Sequence, residues 1–494
     1  MNRLLNPKSI LLMCFCVLGS RVSTALPVLV VGSKSFTESY ILGEIIAQII
    51  DESGEAKAER KFSLGGTGIV VESLKARSID IYPEYSGTIA EAIVKKPNLK
   101  AIDELNRALE PMDLISSGRL GFNNTYALAV TTPLAKTLRL EKISDLLNHP
   151  TLRAGFSHEF LQRSDGYEGI KKHYGLALRE PLGMEHSLTY QSLLENKIDL
   201  TEVWSTDAKI AKYNLLVLND DRGYFPNYDG VLLSRRDLPA RFPKTYAALL
   251  ELEGAISQEK MIELNAKVEI DGWDFARAAR FFLNKDQLTE AKPKMNLWVR
   301  TKEHVSLVFV SVLFSVLIGL PLGFLCYRKT KIGHGVMALI GLLQTIPSLA
   351  LLCFLIPVFG IGYVPATVAL FLYALLPIVR NTYLGLRSLS PQLIESAQSL
   401  ALSKWDLITC IELPLAAPSI LSGIQISTVI SVGTATLAAF IGAGGYGTAI
   451  ATGLAMNDTS MILQGAIPAA ALALIVHGLF EVLGRLLIPE GLRR

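Results

Sequence analysis

The charged residues of this 494-residue chain are concentrated before His304, and nearly all of its long uncharged runs come after it. Residues 305–326 include no charged side chain, and neither do residues 335–379. A helix needs about 20 apolar residues to cross the hydrocarbon core of a bilayer. The first run is long enough for one membrane span and the second for two. The chain is therefore predicted to have a soluble half followed by a membrane-spanning half.

The membrane half is predicted to contain about five spans. Pro357, Gly360, Gly362 and Pro365 mark the break between the second and third spans. The fourth and fifth spans cover about 419–440 and 459–487. Lysines and arginines occur in the first and third connecting loops and at the C-terminus, whereas the alternate loops have none. By the positive-inside rule the basic loops are cytoplasmic. An odd number of spans then places the soluble half outside the cytoplasm.

Residues 1–25 read as a signal peptide or an N-terminal anchor. Arg3 and Lys8 precede an apolar run over 10–18, and Ser23, Thr24 and Ala25 provide small residues for cleavage. The run is shorter than the roughly 20 residues of a comfortable span. Both interpretations put the next domain on the outer side of the membrane.

Composition argues against several function classes. The net charge of +3 is small, and the basic residues are not interleaved with stacking aromatics, so nucleic-acid binding is not expected. No cysteine lies between residues 26 and 300, which excludes a disulfide framework or a cysteine-based zinc site there. The sequence has no recognisable nucleophile–base set, metal cluster or catalytic carboxylate pair. We expect no catalytic residues and no bound metal.

In the soluble half, short apolar runs alternate with helical patterns, which favours an α/β fold with largely parallel sheets. The size of this half suits two lobes around a cleft. The predicted strands are 28–31, 79–82, 126–130, 153–156, 198–203 and 215–218. The predicted domains are an extracytoplasmic domain over 26–285, a linker over 286–303 and a membrane domain over 304–494.

The predicted cytoplasmic loop between the third and fourth spans resembles the signature of ABC-importer permeases: Glu-Ala-Ala, three residues, Gly, nine residues, Ile, any residue, Leu, Pro. The matching positions are Glu395, Ala397, Ile411, Leu413 and Pro414. Ser396 replaces an alanine, and Ala401 replaces the glycine, which would allow a bend that alanine resists. The resemblance implies that the matching residues and Ala401 form short surface helices that seat on an ATPase subunit.

The chain has no Gly-Lys dipeptide, and so it lacks the phosphate-binding loop Gly-x4-Gly-Lys-Ser/Thr. We expect no cofactor in this chain, with ATP and Mg bound by two copies of a separate cytoplasmic ABC ATPase. The glycine-rich run 442–447 follows a membrane span rather than a strand, so it is not interpreted as a dinucleotide site.

Seven stretches of the soluble half resemble, in order and spacing, the quaternary-amine binding proteins of osmoprotectant uptake systems, which bind glycine betaine, carnitine or choline. They are residues 32–38, 65–67, 81–88, 120–129, 155–166, 204–207 and 225–228. The resemblance implies an α/β two-lobed periplasmic-binding-protein fold (type II-like), followed by an all-α polytopic membrane domain of ABC-importer permease type.

In such proteins a box of aromatic rings holds the ligand. A methylated ammonium has no N–H donor, so ring faces attract it instead, at about 0.5–2 kcal/mol per face. The box residues implied by the motif positions are Tyr85, Tyr126, Trp204 and Tyr228. The family usually has tyrosine where this chain has Trp204.

A zwitterionic ligand also needs hydrogen-bond donors for its carboxylate. The polar candidates implied by the resemblance are Ser33, Lys34, Gly66, Thr67, Thr88 and Arg163. Arg163 is suited to a bidentate grip on a carboxylate. It is equally suited to a stabilising ion pair with Glu159 or Asp165 inside one lobe.

The predicted function is ATP-driven import of a small quaternary amine across the bacterial inner (plasma) membrane, in osmoprotection. The pathway is expected to form between two copies of the chain, surrounded by lipid. Alternative cargoes are a related betaine such as ergothioneine or a bulkier anionic solute. The alternative from another class is a membrane receptor that senses the ligand without moving it.

Overall fold

The computed structural model describes residues 26–285, 296–400, 402–456 and 458–490. The predicted signal segment, most of the predicted linker and Ala401 lie outside the described residues.

The soluble half contains two five-stranded sheets, one in each lobe. The first has the order β2-β1-β3-β10-β4 and the second the order β7-β6-β8-β5-β9. The strands are β1 (Val28–Gly32), β2 (Lys57–Lys61), β3 (Ile81–Tyr85), β4 (Leu114–Ser116), β5 (Tyr126–Thr131), β6 (Ala154–Ser157), β7 (Leu182–Met184), β8 (Leu200–Trp204), β9 (Leu215–Leu218) and β10 (Gly230–Arg235).

The prediction of largely parallel sheets is wrong, because both sheets are mixed. β1 and β6 pair in parallel with their neighbours, but β10 runs antiparallel to β3 and β4, and β5 runs antiparallel to β8 and β9. β5 and β10 are the strands that receive the chain after it crosses from the other lobe. The two crossing segments are bridged at Asn123 and Asp229. The crossings therefore reverse one interior strand in each sheet.

The strand predicted over 79–82 is found two residues later, as β3 (Ile81–Tyr85). Tyr85 is the last residue of this strand, at the end that faces the cleft. Helices cover both sheets and bury one extended apolar core that reaches through both lobes. They are α1 (Thr37–Ser53), α2 (Thr67–Lys75), α3 (Ser86–Thr88), α4 (Ile102–Leu109), α5 (Thr132–Leu138), α6 (His158–Gln162), α7 (Tyr167–Tyr174), α8 (His186–Leu194), α9 (Lys209–Lys212), α10 (Leu238–Arg241), α11 (Pro243–Leu250), α12 (Gln258–Glu269) and α13 (Phe275–Phe282).

The membrane half is helical throughout its described elements. Its helices are α14 (Leu297–Arg328), α15 (Thr330–Thr345), α16 (Ser348–Phe359), α17 (Tyr363–Arg387), α18 (Pro391–Ser399), α19 (Lys404–Asp406), α20 (Leu413–Thr434), α21 (Gly447–Met456) and α22 (Thr459–Leu487). Leu407–Glu412 forms a π-helix between α19 and α20, and Ala435–Ile441 forms a 3-10 helix after α20.

Four of the described helical segments are long and apolar enough to cross a membrane, and five if the bent pair α15 and α16 is counted as one. This pair bends by 99° at Ile346 and Pro347, a break that the sequence analysis missed. The predicted break at Gly360 is present between α16 and α17. α14 begins at Leu297, inside the predicted linker, because the Asn296 side chain accepts the N–H of Val299 and caps the helix.

Both lobes of the soluble domain contact the membrane domain. In the first lobe α2 packs against α16, and in the second lobe α8 contacts α21. Apolar residues of the first lobe, including Leu64, Val70 and Leu74, belong to the same buried cluster as Leu352 and Ile356 of α16. The cleft between the lobes therefore lies directly above the membrane helices.

Candidate functional site

A cavity of 910 Å³ lies where the two lobes and the membrane domain meet. Five of the predicted site residues line it: Lys34, Gly66, Thr67, Arg163 and Trp204. Residues that the sequence analysis did not single out also line it, among them Phe36, Gln162, Glu185, His186, Leu349 and Phe440. Leu349 and Phe440 belong to the membrane domain, so the cavity joins the cleft to the membrane helices.

Trp204 forms an aromatic wall with Phe36. It ends β8, directly across from Tyr126 on β5, so both side chains project from the same face of the second sheet. The Phe36 ring from the first lobe lies 5.0 Å from Trp204 between centroids, and it also stacks on Tyr85 at 6.3 Å. Phe36 lies within a stretch that carries the family resemblance, which is the signal that could have identified it.

His186 is the second residue of this wall that the sequence analysis missed. Its imidazole stacks on Trp204 at 3.8 Å between centroids, and its nitrogens lie 3.1 Å from Glu202 and 3.3 Å from Asp207. Burial alone lowers its pKa, but hydrogen bonds to Asp207 and Glu202, together with their charges, outweigh it and raise the pKa to about 9. At neutral pH a charged imidazolium therefore lies against the Trp204 ring.

Protonation of His186 makes stability depend on pH. Because its pKa is raised from 6.5 to about 9, its contribution is complete below pH 6.5 and is lost as pH rises through 9. The full contribution is on the order of 3 kcal/mol. We expect His186→Gln to be much less stable than the wild type at pH 6 and closer to it at pH 9.5. Thermal unfolding of the full chain in detergent measures this difference, and a gap that stayed constant with pH would contradict it.

Tyr126 and Tyr228 form a second aromatic group, and an internal cation already faces it. Their rings meet edge to face at 5.5 Å, and the Arg163 guanidinium carbon lies 5.7 Å and 5.9 Å from their centroids. Both tyrosines are buried, and they are not among the described residues that line the 910 Å³ cavity. Burial raises the pKa of each well above its usual value. Arg163, which lines the cavity, is the residue that contacts both of these rings.

Arg163 makes a bidentate ion pair within its own lobe. Its Nε and Nη2 atoms lie 2.7 Å and 2.5 Å from the two carboxylate oxygens of Asp165, and Glu159 lies at 3.5 Å. The Tyr228 hydroxyl donates to the same Asp165 carboxylate. Burial opposes the charge, but the Tyr126, Asp165 and Tyr228 groups outweigh it and hold the pKa of Arg163 above its usual range. The Arg163 side chain is only 8% exposed. It makes the ion pair with Asp165 and also lines the edge of the cavity.

Tyr85 and Lys34 are tied to buried carboxylates of the first lobe. Lys34 Nζ lies 2.5 Å from Glu84 and 5.4 Å from the Tyr85 ring centroid. The Tyr85 hydroxyl donates a hydrogen bond to Glu38 at 2.6 Å. Tyr85 is not among the described residues that line the cavity. Burial raises the pKa of Glu38, although hydrogen bonds from its neighbours oppose the rise.

Glu38 connects the lobes. Besides Tyr85, its carboxylate accepts hydrogen bonds from Asn124 at 2.9 Å and Asn265 at 3.0 Å, and Asn265 also donates to the Thr206 carbonyl of the second lobe. Closing or opening the cleft must act on this cluster. Glu38 ends the first stretch that carries the resemblance, but nothing in its local sequence indicates its burial.

Gly66 and Thr67 place a helix N-terminus at the cavity. α2 begins at Thr67, and the first N–H groups of a helix lack intrahelical partners and favour anions. The Thr67 hydroxyl is buried without a hydrogen-bond partner in the described structure. The predicted Ser33 and Thr88 are buried elsewhere: the Ser33 hydroxyl accepts the N–H of Ser63 at 3.3 Å, and Thr88 lies in α3.

The predicted coupling loop lies at the opposite end of the membrane domain. Glu395 in α18 is exposed and Ala397 is buried, whereas Ile411, Leu413 and Pro414 lie where the π-helix joins α20. Next to Leu413, Glu412 is fully buried and pairs with Arg328 at the end of α14, at 2.6 Å. Two apolar side chains that the sequence analysis missed project outward: Leu400 is 75% exposed and Trp405 is 72% exposed.

Two family models match most of the chain. Residues 27–285 match the substrate-binding domain of the ABC-type glycine betaine transport system, and residues 315–489 match the inner-membrane component of binding-protein-dependent transport systems. These comparisons agree with the two lobes around a cleft and with the helical membrane domain below it. No group of three or more potential metal ligands occurs among the described residues.

Individual relatives match either half. The choline transport system permease protein OpuBB of Bacillus subtilis is 41% identical over 198 residues, 40% of this chain and 91% of that protein. The ergothioneine transport permease/binding protein EgtU of Helicobacter pylori is 34% identical over 247 residues, 49% of this chain and 44% of that protein. A solved glycine betaine/carnitine/choline ABC transporter structure is 31% identical over 52% of this chain and 98% of its own, with a TM-score of 0.45.

The fold and the cavity define a membrane transport protein with its own extracytoplasmic binding domain. The chain belongs to the ABC osmoprotectant importer family, as a glycine-betaine-type substrate-binding domain fused to a permease domain. It is a multi-pass protein of the inner membrane.

Proposed function

We propose that this chain captures glycine betaine, carnitine or choline outside the cell and passes it to its own membrane helices. The observation that carries the proposal is the 910 Å³ cavity, which brings the Trp204 and Phe36 rings together with the Arg163 and Thr67 donors. Relatives whose names specify choline, carnitine and glycine betaine support the same cargo class. The conclusion is an ATP-driven importer of quaternary ammonium compounds in osmoprotection.

The cavity offers different chemistry on its different sides. The aromatic wall suits a trimethylammonium head, which has no N–H to donate and is attracted by ring faces. The Thr67 hydroxyl, the first N–H groups of α2 and the Arg163 guanidinium suit a carboxylate. A ligand that carries both groups would span from the wall to α2. Ser33, Thr88 and the buried tyrosines would then act as supports for residues that touch the ligand.

Ergothioneine is a second candidate cargo. A volume of 910 Å³ is near the upper end of the roughly 300–1,000 Å³ typical of sites for drug-sized ligands, so a betaine with a ring fits as well. The similarity to EgtU supports this alternative. The same wall would hold its trimethylammonium group, and the remaining space would hold the ring.

A separate ABC ATPase, in two copies, is proposed to bind ATP and Mg and to drive transport. The coupling loop, with Glu395 exposed and with Leu400 and Trp405 projecting outward, offers a surface of the kind enriched in protein interfaces. None of the most apolar window of α22 is buried within one chain. A homodimer, with two binding domains above one pathway, is consistent with that open helix.

Titration of the full chain in detergent tests the cargo. We expect glycine betaine, carnitine, choline or ergothioneine to bind with micromolar affinity, measured by calorimetry. Glycine is the matched control, because it retains the carboxylate but lacks the methylated cation, and we expect it to bind at least about 10-fold more weakly.

Failure of all four compounds to bind below millimolar concentrations would refute the proposed cargo class. The sensing alternative is separated by uptake: if a compound binds but radiolabelled material does not enter cells that carry the chain, the protein is a receptor rather than an importer.

A further inference from the structure

α2 touches both the ligand cavity and the membrane domain. Its N-terminal residues Gly66 and Thr67 line the cavity, and the Thr67 hydroxyl there is buried without a partner in the described structure. Farther along, Val70 and Leu74 belong to the buried apolar cluster that includes Leu352 of α16. One short helix therefore spans from the cleft to the permease.

A polar contact follows the end of α2. The Ser78 hydroxyl accepts a hydrogen bond from the N–H of Ile361, at 3.2 Å, in the connection between α16 and α17. The adjacent Gly360 has a φ of +71° and abuts Ser78 so closely that a Cβ atom at position 360 would overlap the Ser78 hydroxyl. A side chain at position 360 would force the Ser78 hydroxyl to turn away and lose its hydrogen bond with Ile361.

α16 is attached to the rest of the membrane domain through its bend. The Ile346 carbonyl at the bend accepts a hydrogen bond from the Tyr373 hydroxyl of α17, and Gln344 donates to the Tyr373 carbonyl at 3.3 Å. Leu349, in the first turn of α16, lines the ligand cavity. A shift of α16 would therefore move Leu349 in the cavity wall and the hydrogen bonds at the bend at the same time.

We infer that α2 and Ser78 form the mechanical link that carries the state of the ligand cleft to the bent pair α15 and α16. The inference rests on the proposed import of a ligand that binds in the cleft. Contacts of the ligand with Thr67 act on one end of α2, while α16 and Ile361 hold its flank and the segment after it. If the link is mechanical, a perturbation at one end of it changes the behaviour of the other end.

Gly360→Ala perturbs the membrane side of the link, and Gly362→Ala is its matched control. Gly360 and Gly362 have similar backbone angles, with φ of +71° and +98° and ψ of −154° and −146°. Both alanines therefore suffer the same kind of strain. At position 362, however, a Cβ atom would lie 4.0 Å from its nearest neighbour, the Gly442 carbonyl, and would clash with nothing.

Hydrogen exchange of the full chain in detergent is the first measurement and needs no ligand. Gly360→Ala is expected to speed exchange in the first turn of α2, which position 360 does not touch, by about tenfold or more relative to Gly362→Ala. The double variant Ser78→Ala with Gly360→Ala, which removes the clashing hydroxyl, is expected to restore most of the protection. Equal exchange in the two single variants would overturn the inference.

Transport is the second measurement, with radiolabelled glycine betaine and chromosomal variants in the host bacterium. Gly360→Ala is expected to retain the affinity of the wild type within twofold and to lower uptake at least about 10-fold relative to Gly362→Ala. If Gly360→Ala lowered the affinity for glycine betaine but took it up as fast as Gly362→Ala, the inference would be contradicted. Failure of the wild type to bind any of the four compounds would refute the proposed function, and the exchange experiment would still decide the link.

Discussion

Replacing Arg163 with alanine is expected to destabilise the binding domain by about 3–5 kcal/mol and to weaken ligand binding at the same time. The change leaves the Asp165 carboxylate, which is 6% exposed, without its cationic partner, and only the hydrogen bond from the Tyr228 hydroxyl remains of its three described side-chain contacts. A buried charge without its partner is one of the few causes of so large a loss. Thermal unfolding of the full chain in detergent should show a midpoint lowered by about 6–20 °C.

Arg153→Ala is the matched control. Arg153 also makes a bidentate pair with an aspartate, Asp199, at 2.9 Å and 2.7 Å, but that pair lies on the surface, where solvent screens it. The midpoint of thermal unfolding of Arg153→Ala should barely differ from that of the wild type. The double variant Arg163→Ala with Asp165→Ala removes both buried charges and should recover much of the stability but not the affinity. Equal effects of the two single arginine changes would contradict the assigned role of the buried pair.

Replacing Trp204 with alanine is expected to lower the affinity for the bound quaternary amine by about 30- to 1,000-fold, or roughly 2–4 kcal/mol. Trp204 is the part of the aromatic wall that lies between Phe36 and the His186 imidazolium, and it lines the cavity directly. Its loss removes the ring face offered to the ligand and leaves the His186 charge beside the ligand's own cation. Calorimetric titration of the full chain measures the effect.

Trp204→Tyr and Trp273→Ala provide the controls. Tyrosine keeps a ring face and should retain much of the affinity. Trp273 stacks on Arg277 at 3.9 Å and does not line the cavity in the described structure, so its loss should leave affinity unchanged. If Trp204→Ala bound as tightly as Trp273→Ala, the aromatic wall would not be the cation site.

The aromatic residues show how far sequence reasoning reaches in this site. The resemblance named Tyr85, Tyr126, Trp204 and Tyr228 as one box, and the structure separates them into a wall around Trp204 and a buried pair facing Arg163. Nothing in the local sequence distinguishes a ring that touches the cavity from one that lies beneath it. Whether these rings bind the ligand stays a prediction for the titrations above.

His186 and Phe36 were missed because the wall is assembled from distant segments. They belong to different lobes, and each packs against Trp204. The charge on His186 depends on Glu202 and Asp207, which reach it only through the packing of α8 against the end of β8. A histidine in a helical pattern gives no indication of such neighbours.

The division into a soluble and a membrane half, the α/β character of the first and the permease signature of the second were all readable from the sequence. The first two features follow from hydropathy and spacing, which depend on the local sequence, and the third follows from resemblance to a known family motif. Only the tertiary structure decided the reversed strands β5 and β10, the bend at Pro347, the commitment of Arg163 to Asp165 and the contact of α2 with α16. Each of these depends on where the chain crosses or which buried group lies opposite, and such distances in space are not encoded in the order of neighbouring residues.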